Sequence, residues 1–221
     1  MEVTGRKEIA LGLGAYAAYL AVRRAVWTEA GRARAQRNAG RLIDLERRLG
    51  LFVEPRLQAV ALRAPRVVDA LNAGYAAGNV ALSVGWLMRL YARGDDGFGR
   101  ERRAAVIAFI AALPVFLAFP TAPPRTQDGF VDTLADRGID LGHPWLVRLY
   151  NPIAAMPSHH VAFAVVTGEG LAARATGRCV RGLWRGYAPL VAIVVVATGN
   201  HFVVDVVAGA ALGGLARRLA R

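Results

Sequence analysis

The chain has 221 residues, enough for one domain with a real core, and is 55% hydrophobic while carrying 28 Lys+Arg against 16 Asp+Glu. Charged and apolar residues are segregated along it, with basic loops between apolar runs, which marks a polytopic membrane protein and not a soluble globule. A net charge of +12 would also suit a nucleic-acid binder, but the apolar runs are too long for a basic soluble module, so nucleic acid is set aside as a partner.

Six runs with few or no charges follow one another: 9–22, 70–88, 104–124, 156–173, 186–200 and 202–216. The first, inside "EIALGLGAYAAYLAV", is followed by "RRAVW" and lacks a convincing small-residue cleavage site, so it is read as retained and as crossing. Residues 23–69 hold eleven Arg and five acids, with apolar Leu42, Ile43, Leu45, Leu49, Leu51 and Phe52 close to helical spacing. They are expected to form one or two amphipathic helices on the membrane surface, where the arginines could hold anionic headgroups. The second and third runs are long enough to span, since a crossing helix needs about 17–25 residues. The fourth spans if Glu169 is tolerated near one end. The last two are short but adjoin, as a helix hairpin that turns near Asn200–His201, and "GAALGGLA" in the last suits close helix packing. Pro123–Pro124 is expected to end the third run.

The expected fold class is therefore all-α: six transmembrane helices plus an amphipathic interfacial segment, a single domain of residues 1–69 and a catalytic bundle of 70–221. Orientation follows from arginine. The 89–103 loop holds five, the 174–185 loop four and the tail three, which places them in the cytoplasm. The single lysine, Lys7, among 28 basic residues, with Arg-, Ala- and Gly-rich usage, points to a bacterial inner membrane. The lone Cys179 excludes an internal disulfide and a cysteine metal cage.

With that orientation, Arg125 after run three, "AAMPSHHVAFAVV" opening run four and "GNHFVVDVVAG" opening run six all reach the outward face. His201 and Asp205 are four apart and share a helix face. A carboxylate beside an imidazole sets its tautomer and leaves the other ring nitrogen free to attack an electrophile. His160 could serve as general acid on the leaving oxygen. Arg125 offers a planar fork for phosphate oxygens, and Ser158 with the amides of a helix start favours an anion. Tyr75 and Asn79 share a face of run two and are candidate substrate contacts, packing being the plainer role. His160, His201 and Asp205 also have the composition of a two-histidine, one-carboxylate metal site. The Pro-Ser-x-His context has no role in such a site, so no metal or other cofactor is expected.

These motifs resemble the type 2 phosphatidic acid phosphatase superfamily of membrane lipid phosphatases over roughly residues 40 to 215. "MPSHH" matches Pro-Ser-Gly-His through Pro157, Ser158 and His160, with His159 in the glycine position. "HFVVD" matches the end of the third motif, through His201 and Asp205. The first motif is degenerate: Arg125 lies in "FPTAPPR", with Ala118 where the family's Lys stands and Thr126 where its Pro stands. The third-motif Ser-Arg is replaced by Val194–Val195. These departures, with "DLERRLGLFVEPRLQ", look like the branch that contains inositol phosphorylceramide synthases. The resemblance implies a metal-free phosphohistidine on His201, supported by Asp205, with His160 protonating the leaving group. It leaves Arg125, Ser158, His159 and Arg148 or backbone amides to hold the phosphate of a lipid substrate. Hydrolysis of a lipid phosphate or pyrophosphate monoester is the leading expectation. Transfer to an alcohol such as inositol, or a non-enzymatic membrane scaffold, are the alternatives.

Overall fold

A computed structural model describes residues 5–221. They are 75% helix, and among them no strand forms. In chain order the helices are α1 (Gly5–Val26), α2 (Glu29–Leu49), α3 (Glu54–Ala61), α4 (Pro65–Ala73), α5 (Asn79–Ala92) and α6 (Phe98–Ala118). The short α7 (Pro144–Val147) follows, then α8 (His159–Arg174), α9 (Arg178–Arg185), α10 (Tyr187–Ala197) and α11 (Val203–Leu219). A π-turn at Gly74–Gly78 joins α4 to α5 into one bulged rod.

Local chemistry sets the ends. The Thr28 side chain accepts from the Gly31 amide to start α2, and Gly50, at φ 69°, stops it in the left-handed region that favours glycine. Pro65 stands in the first turn of α4. α6 tolerates Pro114 and ends at Ala118, before Pro120, so Pro123–Pro124 lie in the segment beyond it rather than closing it.

α8 is the central helix. α5, α6, α9, α10 and α11 surround it, while α1 lies along the outside of α6, α3 rests on α10 and α2 on α11. Small residues let α11 sit against α8: a Cβ at Gly209 would stand 2.4 Å from the Ser158 carbonyl oxygen, and one at Gly213 2.6 Å from that of Ala162. Ion pairs and hydrogen bonds define two ends. Glu8 with Arg102, Glu101 with Arg174 and Arg217, and Arg103 with the Ala220 carbonyl gather at one. At the other, the Thr121 amide donates to Ile153 (2.9 Å), that of Arg125 to Gly199 (2.8 Å) and that of Ser158 to Asp205 (3.0 Å). α1, the joined α4–α5, α6, α8, α9 with α10, and α11 are the six long segments that pack together.

Three helices bury polar or small groups and expose aliphatic ones. α3 turns Glu54 and Gln58 inward and leaves Val60 exposed; α5 buries Asn79 and Ser83 and exposes Val84 and Met88; α11 buries Asp205, Gly209 and Gly213 and exposes Val207, Leu215 and Leu219. Polar and small groups inside, with large aliphatic groups outside, suit a lipid solvent.

Several expectations need correction. Among the described residues only two helical stretches, Gly5–Val26 and Arg178–Ala197, are long and apolar enough to cross a membrane by length and composition. α8 and α11 stop at 16 and 17 residues, and α6 opens with Arg100, Glu101, Arg102 and Arg103. The expected 174–185 loop is largely the helix α9, which continues into α10. α2 is amphipathic, but its buried stripe is Ala35, Asn38, Ala39, Leu42 and Glu46. Leu45, Leu49 and Leu51 are exposed on the opposite side, as an apolar face that meets a membrane surface would be.

Candidate active site

The α10–α11 turn carries the central pair. Gly199, at φ 69°, reverses the chain, and the His201 amide then donates to the Val195 carbonyl at 3.1 Å. The His201 Nδ1 faces Asp205 Oδ2 at 3.4 Å, and both residues are buried. The same Oδ2 accepts from the Phe202 amide at 2.9 Å, holding the carboxylate in the first turn of α11. With Nδ1 turned to Asp205, Nε2 is the His201 nitrogen left for chemistry.

His160, in the first turn of α8, brings its ring centroid to 5.8 Å from that of His201 and 4.3 Å from that of Tyr75. The three rings border a cavity of about 110 Å³. Tyr19, Phe116, Arg125, Tyr150, Asn151, His159 and Asn200 are also on its wall. Arg125 is held by Asn200 Oδ1 and by Asp132, whose Oδ2 lies 3.4 Å from Nε, and its side chain is only 7% exposed. It is a desolvated, preoriented fork. Burial pushes the Tyr150 phenol well above its ordinary range, so it keeps its proton, which it donates to the Leu141 carbonyl.

Other expected residues lie differently. Ser158 is fully buried and off the cavity wall: its hydroxyl caps α8 by accepting from Val161 N at 3.3 Å, so it positions the helix and is not free to hold phosphate. His159 reaches the wall, but its ring stacks on Phe109 (5.1 Å, 12°) and its Nε2 lies 3.2 Å from the Phe109 carbonyl, which draws it toward α6. Arg148 is exposed at the end of α7 and does not line the cavity, because that single turn aims it outward. Asn79 sits behind the site, donating to the His160 carbonyl at 2.9 Å. Among the described residues no group of three or more His, Cys, Asp and Glu is arranged to hold a metal ion.

The cavity adds Asn200, Asn151 and Tyr150, which sequence reasoning missed; only Asn200, inside "GNHFVVD", stood in a singled-out stretch. Two missed carboxyls lie beneath the site. Glu46 Oε1 accepts from Val204 N at 2.7 Å and Glu54 Oε1 from Val203 N at 2.9 Å, both side chains fully buried. Both belong to "DLERRLGLFVEPRLQ", where glutamates among arginines look like a solvated face. Gln58, one turn beyond Glu54, pairs with both backbone groups of Val131 at 2.9 Å and fixes the loop that carries Asp132.

A buried His–Asp pair, a second histidine across a small cavity and a desolvated arginine form a site suited to phosphoryl chemistry. The model of the PAP2 superfamily matches residues 40–219, and the chain belongs to this superfamily. Its members are generally phosphatases or phosphotransferases, and membership implies chemistry of that type. No curated protein and no solved structure matches the chain.

Proposed function

We propose that the protein is a multi-pass membrane lipid phosphatase that hydrolyses a lipid phosphate or pyrophosphate monoester through a phosphohistidine. The observation that carries this reading is the meeting of His201, from the α10–α11 turn, and His160, from α8, at one cavity, with Asp205 of α11 behind His201. The Nε2 lone pair of His201 attacks phosphorus; the P–N bond forms as the P–O bond to the lipid alcohol breaks. His160 gives its proton to the departing oxygen, and Asp205 stabilises the imidazolium character at Nδ1. In the second half, His160 takes a proton from water, the water oxygen attacks phosphorus and the P–N bond breaks. Arg125 neutralises the charge on the equatorial oxygens.

The six long segments would be the six crossings, with the site at the extracytoplasmic face of a bacterial inner membrane. The exposed aliphatic faces support burial in lipid; α6, α8 and α11 then span only with their inner, ion-paired ends near the interface. The arginine-rich α2 would rest on anionic headgroups. Exchanging Arg47 and Arg48 for Glu should weaken binding to anionic vesicles, at about 1 kcal/mol per well-placed charge; unchanged binding would refute this role.

One observation favours the alternative of transfer to an alcohol such as inositol, as in inositol phosphorylceramide synthases. A second cavity of about 170 Å³ shares Pro123, Arg125, Tyr150 and Pro152 with the first and is bordered by Asp132, Asp140, Gln36 and Arg32. It offers an acceptor room to sit beside the phosphohistidine.

The test is phosphate release by detergent-purified protein from polyprenyl phosphate and pyrophosphate, phosphatidic acid and phosphatidylglycerol phosphate, with EDTA present. Phosphatidylinositol and free inositol form a transfer arm. Release that survives EDTA and vanishes in His201→Ala is the expected result. A new lipid product without phosphate would move the assignment to transfer. Silence in both arms for every lipid would favour a scaffold.

A further inference from the structure

The backbone amides of Phe202, Val203 and Val204 are three consecutive donors at the start of α11, and each is held by a different buried carboxyl: Asp205, Glu54 and Glu46. A helix start asks for such acceptors, but one would satisfy its dipole. The two glutamates come from α2 and α3, and because Oε1 of each accepts from one of two consecutive amides, those of Val203 and Val204, their carboxyls lie side by side. Each spends Oε1 on an amide, and Oε2 of each is buried without any hydrogen-bond partner. No arginine or lysine is paired with either; the charged groups that face Glu46 are Glu54 on α3 and Asp205 on α11. Two ionised carboxylates cannot be held against each other in such a place. One proton between the two Oε2 atoms satisfies both orphans at once.

We propose that Glu46 and Glu54 form an acid–carboxylate pair that shares one proton and serves as a positioning device for the turn bearing His201 and Asp205. The pair clamps the Val203 and Val204 amides from below, while Asp205 holds that of Phe202. This leaves His201 Nδ1 and Asp205 Oδ2 at a fixed separation on the cavity side. The shared proton keeps the cluster from carrying three negative charges beside the nucleophile. Burial, and then the bond to Glu54, push the Glu46 carboxyl up to about 9, so the proton stays at neutral pH.

The role in catalysis rests on the phosphohistidine reading; the shared proton does not, so it is read without turnover. Infrared spectra of the purified wild-type protein at neutral pH should show the carbonyl band of a protonated buried carboxylic acid. Glu46→Gln and Glu54→Gln should each abolish it, because the glutamate left behind is anionic and bonded to an amide N–H. Absence of the band in the wild type, or its survival in both variants, would overturn the pair. Turnover gives the second readout. Each single Gln variant should lower kcat only about threefold, since an N–H replaces the shared O–H. The double variant sets two NH₂ groups against each other, shifts the turn and should lower kcat about 100-fold with KM little changed. A double variant no worse than the product of the singles, or one that raises KM alone, would remove the positioning role. If the band behaves as expected but the wild type turns over no lipid phosphate, the pair stands and the phosphatase reading falls.

Discussion

Buried carboxylates stand at both ends of the bundle, and their partners differ. At one end Glu101 is ringed by guanidinium groups: Arg217 at 2.8 Å, Arg174 at 3.1 Å and Arg100 at 3.2 Å. Arg174 also reaches Asp95 at 3.0 Å, which holds that carboxyl below its ordinary range together with the Gly97 amide. At the other end Asp205, Glu46 and Glu54 are held by backbone amides, and Asp205 faces His201. The first arrangement neutralises its charge and ties α6, α8 and α11 together. The second leaves polar atoms unpartnered, His201 Nδ1 and Asp205 Oδ1 among them, beside a cavity. A neutralised cluster makes a rivet; an incompletely satisfied one, kept near a cavity at a cost in stability, makes a reactive site.

Substitutions at the two ends should therefore fail in different ways. The largest effect is expected from His201→Ala, which should cut phosphate release about 10⁴-fold or more while leaving the melting temperature nearly unchanged. Comparable losses of melting temperature and turnover would erase the distinction between the ends. Glu101→Gln should do the reverse. It leaves buried arginines without their anion and should cost about 3–5 kcal/mol of stability, read by thermal denaturation in detergent, while the protein still folded keeps its kcat.

Gly209→Ala lies between these extremes, because its Cβ meets the carbonyl of Ser158 on the helix that bears His160. Overpacking there should cost about 1–3 kcal/mol and lower kcat as well, so it should show in both assays. The smallest effect concerns pH. The carboxyl of Glu46 sits at about 9 in the folded protein against an ordinary 4.5. The folded state then binds the proton more tightly than the unfolded one. Stability from this group is full below about 4.5 and is lost as pH rises through about 9. Glu46→Gln removes that titration, so its melting temperature relative to the wild type should climb between these limits. A difference that is flat with pH would mean that Glu46 is ionised throughout.

The candidate site was partly legible because its stretches are short. Pro157, Ser158 and His160 form a compact motif and His201 and Asp205 lie four residues apart, although His201 sits in the turn before α11 and not on its face. The succession of helices was legible too, since each of the six apolar runs falls on helix, but among the described residues only two helical stretches are long and apolar enough to cross a membrane. Glu46, Glu54 and Gln58 were not, because a buried polar face on a helix whose exposed face is apolar has the same periodicity as its opposite; only the partner decides which way it turns. Ser158 and Arg148 lie off the cavity wall, a placement the sequence does not decide for a related reason: a cap and a phosphate ligand call for the same residue type, and an arginine near a site by sequence need not point into it.

Residue order therefore determines most of the helices and the close spacing of His201 and Asp205, which depend on contacts within a few residues. Which carboxyl is neutralised by arginine and which is left to amides, which histidine faces the cavity and which stacks on Phe109, depend on α2, α3, α6, α8 and α11 meeting. Those contacts join residues up to 158 positions apart, as between Glu46 and Val204, and burial and electrostatics act on distance in space, which only the folded bundle supplies.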